Sequence, residues 1–308
     1  MEQDVTTMPD LRKKPQILCF IGYPSIFSTD TCLHVGAVLA HCVRRVLLID
    51  MKDNRGLRSQ SLSDWFPPVE SGVYDALIGM EPEILYGDGE RKWDFLPDCG
   101  GDTDEDIALN MNLALQALKR RNPSPELLRD VLAPIGNNYD DILIDCGDLY
   151  SFSPFIEEMA LTADSNFIMT LFAGQKDIEK DFRTFLEVRP KAFQQEQLRA
   201  VVFAAYEETS AQQTQCLYVC REYLPDDIPV ATIGQSEDIE GAFQCHKDII
   251  AFAPESRSAA EYAMLARTLL GGTYDSDFLH QYEQIMRKYT VSQSRLQRLK
   301  KKIRDLIR

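Results

Sequence analysis

Three polar segments each follow a short apolar run of the sequence, and together they could form one ligand-binding crevice. These segments are Tyr23–Asp30, Asp50–Gly56 and Asp145–Asp148. If the apolar runs are parallel strands, the segments meet beyond the carboxyl ends of one sheet, where such folds bind ligands. A helix starting after Thr29 or Asp30 would add its N-terminal dipole, which attracts anions. In the alternative interpretation, Asp50 and Asp145 only end their strands and cap turns.

The elements that would position these segments alternate along the chain. Apolar runs predict buried strands at Ile17–Ile21, Val46–Ile49, Ile142–Ile144, Phe167–Phe172, Ala200–Ala205, Val230–Ile233 and Ile249–Phe252. Helical stretches separate most of them, and the first helix is predicted over Thr31–Val43. The predicted fold class is α/β: a mostly parallel, twisted sheet with helices on both faces, followed by a C-terminal helical tail. We expect an N-terminal extension (1–14), one α/β domain (15–270) and the tail (271–308), which begins at two consecutive glycines.

Six sequence blocks follow one another along the chain: IGYPSIFSTDTCLHVGAVLAHCVRRVLLID, GVYDALIG, YDDILIDCGD, LTADSNFIMTLFAG, IPVATIGQSEDIEGAF and IIAFAPESRSAAEYAMLARTLL. In their order and spacing they resemble the ParA/MinD family of deviant-Walker, SIMIBI-class ATPases, above all its partition (ParA/Soj-like) branch. The first block aligns without a gap with the family's phosphate-binding loop, first helix and second strand, and YDDILIDCGD lies at the Walker B position. The resemblance covers roughly residues 15–270 and implies a P-loop NTPase fold.

The phosphate-binding loop departs strongly from the family pattern. The lysine that reaches across the family's dimer corresponds to Tyr23, and the Walker lysine corresponds to Ser28. The positions between them hold Pro24, Ser25, Ile26 and Phe27. Glycines let a P-loop turn its N–H groups onto phosphate, whereas proline has no N–H and bulky side chains fill the space. Thr29 remains at the magnesium-ligating position, so we expect weak ATP–Mg²⁺ binding at most, no resident cofactor or metal, and no catalytic residue.

Other nucleotide-site positions are only partly retained. By the resemblance, Asp50 matches the aspartate that ends the second strand and Asp145 matches the Walker B aspartate. The family's second acid after the LLID motif corresponds to Lys52. On the purine side, the family's PRN sequence is replaced by Gly234, Gln235 and Ser236. We therefore regard Tyr23, Ser28, Thr29, Asp50, Asp145, Gln235 and Ser236 as positions of a degenerate nucleotide site.

Composition bounds the localisation and the partners. The 308 residues carry a formal net charge of −15, but residues 281–308 hold nine Lys or Arg against two acids. An acidic body repels nucleic acid and anionic membranes, so such binding is expected only in the tail. The first fourteen residues show no apolar signal region, which predicts a cytoplasmic protein.

The eight cysteines are scattered, and Cys19, Cys32, Cys42 and Cys146 lie in apolar runs typical of buried free thiols.

The tail ends in a basic amphipathic segment, Ser294–Arg308. Its apolar positions include Leu299 and Ile303 at helical spacing, and the basic ones include Arg295, Arg298, Lys300, Lys301, Lys302 and Arg304. Such a helix can bind an anionic membrane interface, DNA phosphates or a partner helix, or it can simply be solvated. These alternatives remain open. Membrane binding would place the protein at the membrane, and DNA binding would place it at the nucleoid.

Three functions follow from the sequence. The first is a pseudo-ATPase that acts as a positioning, partition or regulatory scaffold, as a homodimer or as a heterodimer with a related protein, together with an unidentified protein partner. The second is a working ATPase with a divergent loop, acting in plasmid or chromosome segregation. The third is a MinD-like adaptor of a membrane, secretion or polysaccharide machine. ATP hydrolysis separates the second from the others.

Overall fold

Seven parallel strands form a single sheet in the computed structural model, which describes residues 14–52, 57, 67–88, 91–148, 159, 163, 165–180, 182–183, 197–272 and 276–289. The strands are β1 (Gln16–Tyr23), β2 (Val46–Asp50), β3 (Asp94–Leu96), β4 (Asp141–Asp148), β5 (Asn166–Phe172), β6 (Leu198–Tyr206) and β7 (Val230–Gly234). Their order across the sheet is β3-β2-β4-β1-β5-β6-β7. The central strand β1 therefore lies between β4 and β5, which brings the carboxyl ends of β1, β2 and β4 together.

Helices precede or follow most strands. Those with defined bounds are α1 (Ser25–His41), α2 (Val73–Leu77), α3 (Asp104–Arg121), α4 (Leu127–Gly136), α5 (Ala211–Glu222), α6 (Glu237–Gln244), α7 (Ile249–Phe252) and α8 (Arg257–Leu269). Side-chain caps begin several of them: Thr103, Ser210, Ser236, Asp248 and Ser256 each accept a hydrogen bond from a backbone N–H of the first turn. The α/β fold class predicted from the sequence is confirmed.

Apolar side chains cover both faces of the sheet, as the continuous apolar runs require. Along β1, Cys19 and Ile21 join one buried cluster, whereas Leu18 and Phe20 join the other, because successive side chains of a strand point to opposite faces. The first cluster includes buried residues of α3 and α4, and the second includes buried residues of α1 and α8. The sheet is therefore buried on both sides, and only its strand ends and outer edges remain for a site.

Two predictions of local structure were wrong. The run Ile249–Phe252 forms helix α7 rather than a strand, because the Asp248 carboxylate accepts hydrogen bonds from the N–H groups of Ile250 and Ala251 and starts a helical turn. Helix α1 begins at Ser25 rather than Thr31, so the segment expected to be a loop is mostly helical. The three-residue strand β3 was not predicted.

Residues 277–289 form a helical segment that packs on the second cluster. Leu279, Tyr282 and Ile285 are buried, and the Phe278 ring stacks on His41 at the end of α1 with a centroid distance of 5.2 Å. The start of the predicted tail is thus attached to the domain. The predicted surface-binding residues (Ser294–Arg308) and the N-terminal extension up to residue 13 lie outside the described residues.

Candidate functional site

The N-terminus of α1 occupies the segment that the family resemblance assigns to a phosphate-binding loop. Pro24 is the N-cap residue, with φ −60° and ψ 154°, and no side chain caps the helix. The Phe27 N–H donates to the Pro24 carbonyl over 3.2 Å, and the Phe27 ring stacks on Phe172 of β5 with a centroid distance of 5.2 Å and an interplanar angle of 9°. Tyr23 packs against the first apolar cluster. Phe27 is thus packed against β5, whereas Ile26 is 38% exposed.

Three of the predicted positions meet in one buried polar cluster below this turn. The Thr29 hydroxyl donates to the Asp145 carboxylate over 2.6 Å. The Ser28 hydroxyl lies 3.5 Å from the other oxygen of that carboxylate and 3.4 Å from the Gly147 carbonyl. All three side chains are buried. The packing of α1 against the end of β4 therefore brings the Thr29 hydroxyl into contact with the Asp145 carboxylate.

A lysine that the sequence analysis treated only as a departure from the family pattern completes this cluster. Lys52 is 3% exposed, and its Nζ lies 3.3 Å from the Thr29 hydroxyl oxygen. Its backbone N–H donates to the Asp50 carboxylate over 3.1 Å. The side chain reaches the cluster across Gly147, where an added Cβ would approach Lys52 Cγ to 2.8 Å and where φ is +83°. A glycine at 147 is thus required both by the backbone conformation and by the passage of the lysine stem.

The charges of the cluster oppose one another. Burial raises the pKa of the Asp145 carboxyl, while the Lys52 charge and the hydrogen bond from the Thr29 hydroxyl act in the opposite direction. Burial, together with the Asp145 charge, raises the pKa of Asp30 to about 7, and Lys52 again lowers it. Lys52 therefore acts as an internal counter-ion for the carboxylates of Asp145 and Asp30.

A separate pocket of about 410 Å³ opens on the other side of α1, between α1, the ends of β5–β7 and helix α6. We call it the apolar pocket. Its lining residues are Ile26, Phe27, Asp30, Phe172, Ala204, Ala205, Ile233, Gly234, Gln235, Ser236, Ile239, Glu240, Phe243, Gln244 and Tyr262. Gln235 and Ser236 line this pocket, whereas Ser28, Thr29, Asp50 and Asp145 do not. The predicted site residues are therefore divided between the polar cluster and the apolar pocket.

A buried carboxylate of helix α8 binds the end of β7 that borders the apolar pocket. The Gly234 N–H donates to the Glu261 carboxylate of α8 over 2.7 Å. Arg257 Nε donates to the same carboxylate over 2.6 Å, and its guanidinium also pairs with Glu208. These contacts join β7 to α8 and fix the wall of the pocket that carries Gln235 and Ser236.

Metal-site and membrane-span features are absent from the described parts of the chain. No group of three or more His, Cys, Asp or Glu in these parts has the arrangement of a metal site. No helix among the described residues is both long enough and apolar enough to cross a bilayer. Cys19, Cys32, Cys42 and Cys146 are buried free thiols, as predicted, and Cys245 is exposed.

Comparison with known proteins yields partition proteins by sequence and related ATPases by structure, although no family model matches the chain. The chromosome partitioning protein ParA of Caulobacter vibrioides is 26% identical over 256 residues, which cover 80% of this chain and 90% of that protein. The sporulation initiation inhibitor protein Soj of Bacillus subtilis is 23% identical over 78% of this chain and 91% of Soj. Uncharacterized proteins of Pseudomonas putida are 36% identical over 120 residues, which span 42% of their length and 38% of this chain.

The fold agrees with that of solved structures. An ATP complex of Cyanothece McdA superposes with a TM-score of 0.63 at 16% identity, over 84% of this chain and 98% of McdA. The cell division ATPase MinD of Pyrococcus furiosus superposes with a TM-score of 0.59 at 17% identity, over 83% of this chain and 98% of MinD. The chain therefore shares its fold with these proteins and is similar in sequence to ParA and Soj.

Proposed function

We propose that the chain is a ParA/MinD-fold scaffold that positions or regulates a cargo without hydrolysing ATP. The observation that carries this proposal is the position of the Lys52 ammonium, buried beside Thr29 in the cluster that the family resemblance assigns to magnesium and phosphate. In this proposal, the Lys52 ammonium supplies to Asp145 the positive charge that a bound metal ion would otherwise bring.

The residues present do not fit a magnesium–ATP complex. Thr29 and Asp145 are hydrogen-bonded to each other, and the lysine ammonium lies against the same hydroxyl. Helix α1 starts at Ser25, so residues 25–28 are wound into its first turn instead of forming an open loop of N–H groups. The side chains of this turn include Phe27, whose ring stacks on Phe172, and Ser28. Neither side chain supplies the positive charge that phosphoryl transfer requires.

The proposed scaffold is a dimer, either of two copies of this chain or with a related protein. Because Tyr23 replaces the lysine that crosses the family's dimer, we propose that the dimer forms without nucleotide. The basic segment Ser294–Arg308 would attach it to an anionic membrane or to the nucleoid, and the remaining body would be cytoplasmic. A protein partner would supply the cargo.

The proposal is tested by titrating the full-length protein with Mg²⁺–ATP in a calorimeter and by measuring phosphate release. We expect neither micromolar affinity nor turnover. Sedimentation velocity should give the same oligomeric state with and without Mg²⁺–ATP. Micromolar ATP binding, or a dimer that forms only with ATP, would contradict the proposal.

The second candidate is a working ATPase with a divergent loop in plasmid or chromosome segregation. The contact between Thr29 and Asp145 favours it, since the family resemblance assigns these residues to the magnesium-ligating and Walker B positions. Turnover that is abolished by Asp50→Ala or Asp145→Ala would establish it.

A further inference from the structure

We propose that the apolar pocket binds a small molecule with a flat apolar body and a positive charge, of the arylalkylamine class, and not a nucleotide. This inference concerns a ligand that regulates or stabilises the protein and goes beyond the proposed scaffold function. It depends on the lining of the pocket alone, so its test and the test of ATP binding give separate results.

The pocket has the size and the walls of a small-molecule site. Its volume of about 410 Å³ falls in the range of roughly 300–1,000 Å³ that is typical of such sites. The lining includes the stacked pair Phe27 and Phe172, together with Ile239, Phe243 and Tyr262. An aromatic ring bound in the pocket would bury apolar area and would find ring partners for stacking.

The charges in the lining have one sign. Asp30 and Glu240 are the ionisable acids among the lining residues, and no Lys or Arg is present among them. The net charge of the whole chain is also negative, at −15. Phosphate groups of a nucleotide would therefore be repelled, whereas an ammonium would be attracted.

Asp30 is the group that would hold the ammonium. It is a lining residue contributed by α1, and none of the residues that the structure describes forms a hydrogen bond with its carboxylate. The charged or titratable groups that interact with it or share the lining are Asp145, Lys52, Tyr262 of α8 and Glu240 of α6. A bound ammonium would pair with this carboxylate. Charge and shape thus select the same class of ligand.

Two probes with the same indole ring and opposite charges test the inference: tryptamine and indole-3-propionate, titrated into the full-length protein by calorimetry at pH 8. We expect tryptamine to bind at least tenfold more tightly than indole-3-propionate. In Asp30→Asn this preference should fall to threefold or less. Glu237→Gln, an exposed acid of α6 outside the pocket, is the matched control and should keep it. Thermal melting of each variant establishes that it is folded.

A second variant does not depend on Asp30. Ile26 is 38% exposed at the pocket, so Ile26→Arg should fold normally and place a cation beside the ligand. It should weaken tryptamine binding at least fivefold. Absence of saturable tryptamine binding at millimolar concentration, equal affinity for the two probes, or a preference that survives Asp30→Asn would overturn the inference. Micromolar ATP affinity that tryptamine does not reduce would contradict only the scaffold proposal, whereas ATP that displaces tryptamine would overturn this inference as well.

Discussion

Replacement of Lys52 by methionine tests whether an internal cation stabilises the polar cluster. Methionine keeps an unbranched stem that can pass across Gly147 but removes the charge. The ammonium lies 3.3 Å from the Thr29 oxygen, which in turn lies 2.6 Å from an Asp145 oxygen. The lysine and the carboxylate are therefore within about 6 Å of each other. At an effective dielectric constant of about 20, their attraction is about 3 kcal/mol.

The expected result is a loss of about 3 kcal/mol in the free energy of unfolding at pH 8, in line with the cost of removing one partner of a buried charge pair. This corresponds to a melting temperature lower by about 5–10 °C. Without Lys52, the native pKa of Asp145 rises further above its unfolded value. Between these two values the native state binds more protons than the unfolded state, so the stability of the variant increases as pH falls. The difference from the unmodified protein should therefore shrink between pH 8 and pH 5.

Urea denaturation followed by circular dichroism at both pH values measures these free energies. Lys247→Met, which removes an exposed lysine, is the matched control and should change stability by less than about 0.5 kcal/mol. An unfolding free energy of Lys52→Met equal to that of the control, or a loss that is the same at pH 5 and pH 8, would refute the role of Lys52 as a counter-ion.

Three further predictions concern the neighbouring turn, the pocket and the tail. Asp30→Asn should raise the free energy of unfolding at pH 8 by about 2–4 kcal/mol, because a native pKa of about 7 means that the charged carboxylate destabilises the folded state. The gain should vanish near pH 4, and urea denaturation at both pH values measures it. Phe27→Ala should lower stability by about 1–3 kcal/mol through loss of its ring stacking, whereas thermal melting of the exposed neighbour variant Ile26→Ala should change little. Deletion of Ser294–Arg308 should leave the melting temperature unchanged but abolish pelleting with anionic liposomes and retardation of DNA at low salt; retained binding would assign that role to the body.

The strands were predictable because central parallel strands are buried on both faces and therefore appear as continuous apolar runs. The same reasoning failed for Ile249–Phe252, since a four-residue apolar run does not distinguish a strand from a buried helical turn. The capping aspartate in front of it, Asp248, was the available signal. Strand β3 has only three residues and offers too short a pattern to detect.

The site was only partly predictable. Alignment with the family assigned Thr29 and Asp145 to positions of one predicted nucleotide site, and in the structure a 2.6 Å hydrogen bond joins the two side chains. It also suggested a loop where α1 already winds from Ser25, because the alignment carries the family's backbone conformation along with its residues. The position of the Lys52 ammonium depends on an absent side chain at Gly147, which is 95 residues away in the sequence, so no local pattern could reveal it. The tail residues remain a prediction.

The buried lysine also constrains how this chain could change over evolutionary time. A mutation that restored lysine at position 28 alone would introduce a second ammonium next to the one that Lys52 already supplies, and the two would repel each other in a medium of low dielectric constant. A mutation that first removed Lys52 would leave the Asp145 carboxylate without this counter-ion. Each single substitution toward a lysine at position 28 therefore passes through a less stable protein. A lysine at position 28 would thus require a concerted change at position 52.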